Sequence, residues 1–183
     1  LPVGGTLQAA VLTPGGRLGL TVIKTVVGLA PTGWTGRRTG GDDAGSSGFD
    51  ADRAIDADAA TLWKSRASND GAPPSLTVDM GRPRRIGGFA YLSRQDWVFE
   101  GVVDRYRFET SLDGTRWTTR VASGAFDNIK NNPLLREVTF APVEARFFRF
   151  TALRDVEQSG WANVAEITVL SAPASDGTIA PPS

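Results

Sequence analysis

The chain has 183 residues, 40% of them hydrophobic, enough to bury a sizeable core and too many for wholesale disorder. Twenty basic residues balance twenty acidic ones, so the chain lacks the basic footprint of a nucleic-acid-binding protein. It contains no cysteine and no histidine, which excludes disulfides, zinc–sulfur sites and Ser–His–Asp or Cys–His catalysis, and leaves a carboxylate pair as the remaining hydrolytic machinery.

Leu1 stands where a methionine would begin a complete chain, and a processed or excised piece of something longer is expected. Residues 1–31 read as a separate element, either an added hairpin or the remnant of an upstream domain. Leu7–Leu12 and Leu18–Ile23 flank the turn Pro14-Gly15-Gly16, which predicts a β-hairpin. That turn and Arg17 also break the most apolar part of the chain, so no stretch approaches the roughly 20 apolar residues of a membrane span.

Glycine and polar residues dominate from Gly33 to Ser47, which predicts a loop, and the segment from Asp50 to Ala60 is the best candidate for a helical turn. Period-two alternation follows. Leu76, Val78 and Met80 share one face; Tyr106, Phe108 and Thr110 share another; Phe148, Phe150 and Ala152 fall together later. Further strands are expected near 86–93, 117–122, 135–140 and 164–170, separated by Gly81-Arg82-Pro83, Asp113-Gly114 and Asn131-Asn132-Pro133. Short strands at regular spacing with almost no helical periodicity predict an all-β sandwich over 32–172. Residues 173–183 read as a linker or tail.

Several side chains carry chemistry. Asp56, Asp58 and Thr61 lie close enough on a tight turn to aim oxygens at one point, as calcium requires; the plainer alternative is that they cap the turn. Trp63 and Trp117 flank strands and are expected in the core, whereas Trp97 and Phe99 lie on a loop where aromatic rings can stack on a sugar face. Arg94 offers a forked set of donors suited to vicinal hydroxyls or a carboxylate. Asp96, Glu100 and Asp104 are the acids near one loop from which a catalytic pair would have to come.

Four segments together resemble the discoidin, or F5/8 type C, domains, whose bacterial members include the family 32 carbohydrate-binding modules. They are Ala54–Trp63 (A-I-D-A-D-A-A-T-L-W), Tyr91–Asp96 (Y-L-S-R-Q-D), Ser111–Trp117 (S-L-D-G-T-R-W), and Ala145–Phe150 with Ala165-Glu166-Ile167. The resemblance spans about 33–172 and looks nearest to modules appended to fucosidase-like exo-glycosidases. It implies a discoidin-like jelly-roll sandwich of about eight strands, here with an extra N-terminal hairpin.

The resemblance further implies a structural calcium held by the Arg53 carbonyl, Asp56, Asp58, Thr61, the Ala165 carbonyl and Glu166. Ala57 replaces the family's glycine in that turn. It implies a sugar site at Arg94 and Trp161, with Trp97 and Phe99 on the same loop end. Lys64 stands in place of the family's histidine and Glu100 in place of its asparagine, with Asn163 as a nearby polar substitute, a departure from the galactose-type pattern that points to an altered ligand or to none. The expected function is that of a secreted or extracellular, non-catalytic module that binds a glycan or cell-surface ligand on behalf of a larger parent. Two alternatives stand beside it: an interaction module that packs on a neighbouring domain and binds no sugar, and a glycosidase using the loop acids.

Overall fold

The computed structural model describes residues 28–43 and 48–172, with backbone alone at 42–43, together with the backbone of 5–12 and 18–26. Strands β1 (Gly5–Leu12) and β2 (Leu18–Val26) pair antiparallel from Gly5↔Val26 to Leu12↔Leu18, which makes the N-terminal hairpin. The expected turn Pro14-Gly15-Gly16 and the tail 173–183 lie outside the described residues.

The remaining strands are β3 (Thr35–Gly40), β4 (Asp42–Asp43), β5 (Trp63–Arg66), β6 (Ser75–Leu92), β7 (Val103–Ser111), β8 (Thr118–Ala125), β9 (Arg136–Asp155), β10 (Trp161–Val164) and β11 (Glu166–Ser171). One sheet runs β11-β6-β9-β7-β8 with β3 added to the free side of β6, and a three-stranded sheet runs β10-β5-β4. The only regular helix among the described residues is a single 3₁₀ turn, Ala51–Ala54, inside the segment expected to be helical. No helix there is long and apolar enough to cross a membrane.

Two strand boundaries differ from expectation. Gly81-Arg82-Pro83 does not separate two strands; it is a bend inside the 18-residue β6. The register shifts between Asp79 and Arg84, Gly81 takes φ 76°, and its N–H donates to Asp79 Oδ1 at 2.8 Å, so the donors absent from the ladder are satisfied locally. Likewise the segments near 135–140 and 146–153 are the two ends of β9. Because both long strands bend, the first part of β6 pairs with β3 and the second part with β11, while β9 follows it throughout.

The predicted loop 33–47 is also partly strand. Thr35–Gly40 lies along β6 with Arg37 opposite Thr77. Its side chains are mostly exposed, so no apolar alternation marks it. Gly36 is required there, since a Cβ would meet the Ala51 carbonyl oxygen at 2.8 Å.

Between the bent layers lies an aromatic core. Phe89 stacks on Phe108 with ring centroids 4.2 Å apart and meets Tyr106 edge-on, and Tyr91 stacks on both Phe126 and Phe150. All three alternating triads from the sequence are buried here, and each large ring contributes about 1.5–3 kcal/mol through burial. Trp63 is buried among them, as expected. Trp117 is not: it is half-buried on the outer sheet face, 3.9 Å beneath the Arg149 guanidinium, because β8 is the edge strand and no second layer covers it.

Candidate functional site

Pairing of β10 with β5 sets Trp161 opposite Arg66 and Asn163 opposite Lys64, which brings the last strands to the loop after β6. That loop, 93–102, carries Arg94 and Glu100. Lys64 Nζ lies 3.1 Å from Glu100 Oε2 and 4.3 Å from the centroid of the Trp161 ring. Arg94 Nη1 donates to the Glu100 carbonyl at 3.3 Å, and Asn163 Nδ2 donates to the same oxygen at 2.6 Å. Glu100 is thus the point at which Arg94, Lys64 and Asn163 meet, with Trp161 alongside.

The Arg94 side chain is only 12% exposed, and Asp96 accepts from its Nε and Nη2, both at 2.7 Å. Three of the five guanidinium N–H donors are used in this way and through Glu100, leaving one on each terminal nitrogen. The Arg94 hydrogen bonds hold the Asp96 carboxyl below the usual carboxylate range against the opposing effect of burial. The Asn163 side chain is fully buried and its hydrogen bond goes to the Glu100 carbonyl, so it braces that loop from inside.

Trp97 and Phe99 occupy a different flank. Trp97 is 78% exposed in a left-handed backbone conformation (φ 61°) that bulky residues seldom take. Phe99 is half-buried with Lys130 Nζ 5.3 Å above its ring. Gln95 Nε2 donates to the Pro133 carbonyl at 2.9 Å and closes this flank. Arg94 borders both flanks, since it also lines the small cavity between Phe99 and Ile129.

The three loop acids do not form a pair. Asp96 faces Arg94, Glu100 faces Lys64, and Asp104 takes a forked bond from Arg154.

The turn 53–61 gathers oxygens. Thr61 Oγ1 donates to Asp56 Oδ2 at 2.8 Å and lies 3.1 Å from the Asp58 carbonyl and 3.4 Å from the Arg53 carbonyl. The Asp58 carboxylate itself turns back to the Ala60 N–H at 2.9 Å, and Ala57 occupies the left-handed position (φ 64°) that the family fills with glycine. Glu166, at the start of β11, closes the group from the far end of the chain; Ala165 before it donates its amide to the Leu92 carbonyl.

Glu166 is 2% exposed and its Oε1 has no hydrogen-bond partner. Burial, reinforced by the Asp56 carboxylate, pushes its carboxyl up to about 7. Burial would also raise Asp56, but bonds from Thr61, the Asp58 N–H and Arg53 outweigh it. Among the described residues no three acidic side chains converge. The donor set is therefore two facing carboxylates plus neutral oxygens, which suits a hard divalent cation that mixes carboxylates and carbonyls.

One residue of this region is missing from the expectations drawn from the sequence. Asp155, at the end of β9, is buried and accepts from Ser159 N–H (2.8 Å), Ser159 Oγ (2.8 Å), Gly160 N–H (3.1 Å), Glu157 N–H (3.2 Å) and Gly101 N–H (3.3 Å). It ties the Glu100–Gly101 loop to the turn that presents Trp161. The spacing Asp155…Ser159-Gly160 is the turn chemistry that would have pointed to it.

Comparison with known proteins places these features. The family model described as "F5/8 type C domain" matches residues 39–167. Galactose oxidase of Gibberella zeae is 32% identical over 133 residues, 71% of this chain and 19% of that protein. Sialidase of Micromonospora viridifaciens is 35% identical over 122 residues, 65% of this chain and 18% of that protein. The chain spans less than a fifth of the length of either relative. Among solved structures, the family 32 carbohydrate-binding module of Clostridium perfringens NanJ, in complex with galactose, is 26% identical with a TM-score of 0.63, over 79% of this chain and 98% of that one. A module of a C. perfringens family 31 glycoside hydrolase is 25% identical with a TM-score of 0.67, over 79% and 95%.

Proposed function

The chain belongs to the F5/8 type C domain family, and from that premise we propose that it is a non-catalytic carbohydrate-binding module of a larger secreted protein, a glycoside hydrolase or a surface protein. The observation that carries this reading is the meeting of Arg94, Lys64 and Glu100 beside Trp161 at one end of the sandwich. A sugar hydroxyl both donates and accepts. The two spare guanidinium donors and the Lys64 ammonium supply donors, and the Glu100 carboxylate next to them supplies an acceptor. The Trp161 ring adds apolar surface for the C–H face of the sugar, and Asp96 holds the fork so that little side-chain freedom is lost on binding. Contacts this few give weak monovalent binding, strengthened when the parent or its target presents several copies.

With the three loop acids each facing a cation, catalysis by a paired carboxylate has no support, and the chemistry belongs to the parent. Calcium is assigned a structural role at Asp56, Thr61, Glu166 and the carbonyls of Arg53, Asp58 and Ala165. The unpaired buried oxygen of Glu166 supports it.

A glycan array followed by titration calorimetry tests the binding reading. The wild-type protein binds a subset of glycans, and Arg94→Ala weakens that binding about tenfold or more, as loss of hydrogen bonds from a charged donor does. A folded wild-type protein that binds no glycan would replace this reading with that of an interaction module, for which the internal pairing of every charged group in the site is the supporting feature.

A further inference from the structure

A groove of about 240 Å³ has Trp161 in its lining and no residue of the loop after β6, and its walls include Ala67, Pro73, Pro74, Leu153 and Gln158. It borders the candidate sugar site through two residues. Trp161 lines the groove while its ring also lies beneath Lys64. Asp155, another lining residue, accepts the Gly101 N–H next to Glu100.

Both Asp155 oxygens are filled by N–H and O–H donors. Asp104 takes the Nε and one Nη2 donor of Arg154, which leaves the Nη1 donors of that half-exposed side chain spare at the groove. The Gln158 amide is also exposed and has no partner among the described residues, so it can both donate and accept. Proline, alanine, leucine and an indole form an apolar bed, with the Gln158 amide and the spare Arg154 donors beside it. That is the complement of a pyranose ring and its hydroxyls.

We propose that this groove is a second subsite, which receives a sugar residue linked to the one held at Arg94, Lys64 and Glu100. The proposal rests on the glycan-binding reading above. It makes the ligand an oligosaccharide, recognised across at least one linkage, rather than a terminal sugar alone.

The test is calorimetry of the whole chain with neutral mono-, di- and trisaccharides, galactose and GalNAc against GalNAc-β-1,3-galactose being one set, in wild type, Gln158→Ala and Ala67→Phe. Binding is expected to tighten about tenfold from mono- to disaccharide in wild type. That gain should shrink in Gln158→Ala and vanish in Ala67→Phe, which fills the groove, while monosaccharide affinity holds in both. Equal affinity for mono- and oligosaccharides in wild type overturns the subsite and leaves the primary site standing. So does a chain-length gain that is undiminished in Gln158→Ala, a variant that remains informative if Ala67→Phe does not fold. Failure of every sugar to bind wild type removes the underlying reading and this inference with it.

Discussion

Ion pairs in this molecule do different work according to where they lie. Asp96 fixes the Arg94 fork within one loop, whereas Asp79 joins two strands: Arg146 donates to it from Nε and Nη2, both at 2.8 Å, across the β6–β9 bend. The Arg146 bonds hold the Asp79 carboxyl below its ordinary value, against the effect of burial and with help from the Gly81 N–H. A carboxyl lowered on folding contributes stability that is complete above its unfolded pKa, about 3.9, and lost as pH falls through the folded value. Urea midpoints measured across this range should therefore show that Asp79→Asn lowers stability at neutral pH and that its deficit disappears in acid. A deficit independent of pH would mean that the carboxylate charge is not what holds the bend.

At the scale of elements, the loop after β6 is built around a close approach that only glycine allows. Gly101 takes φ 76°, and a Cβ there would run into the Asn163 side-chain amide, closer than real Cβ atoms come. Gly101→Ala should cost about 1–2 kcal/mol from the left-handed backbone alone. It should also weaken glycan binding, because Asn163 and Gly101 together seat Glu100; denaturation and calorimetry on the same variant read the two effects. The strands that pack on the core were legible in the sequence, since a half-buried strand must alternate, as Leu76, Val78 and Met80 do. The strand Thr35–Gly40 was not, because an exposed edge strand has no burial to record in its residues. Nor was the continuity of β6 through Gly81-Arg82-Pro83: these residues end most strands, and only the neighbouring β9 bending in step makes them a bend. The site was legible in part. Arg94, Lys64, Glu100 and Trp161 lie together, but Asn163 is an internal brace, and Asp155 reads as an ordinary turn residue until five donors are seen converging on it.

For the whole molecule, early and late chain meet in the β5–β10 pairing and again where the turn 53–61 faces the start of β11, and the proposed calcium would join the second meeting. Chelation should lower the melting temperature, calcium should restore it, and Glu166→Gln should blunt the response, with elemental analysis giving the metal content of the unchelated protein. A melting temperature indifferent to both chelator and calcium would remove the ion from this fold. The distribution of the indoles has a separate, optical consequence. Trp34 and Trp63 are sealed in the core, Trp117 and Trp161 lie beneath cations, and Trp97 stands in water. A collisional quencher such as acrylamide will therefore reach Trp97 first, and the reddest part of the intrinsic emission is a built-in lamp for whatever settles on that flank.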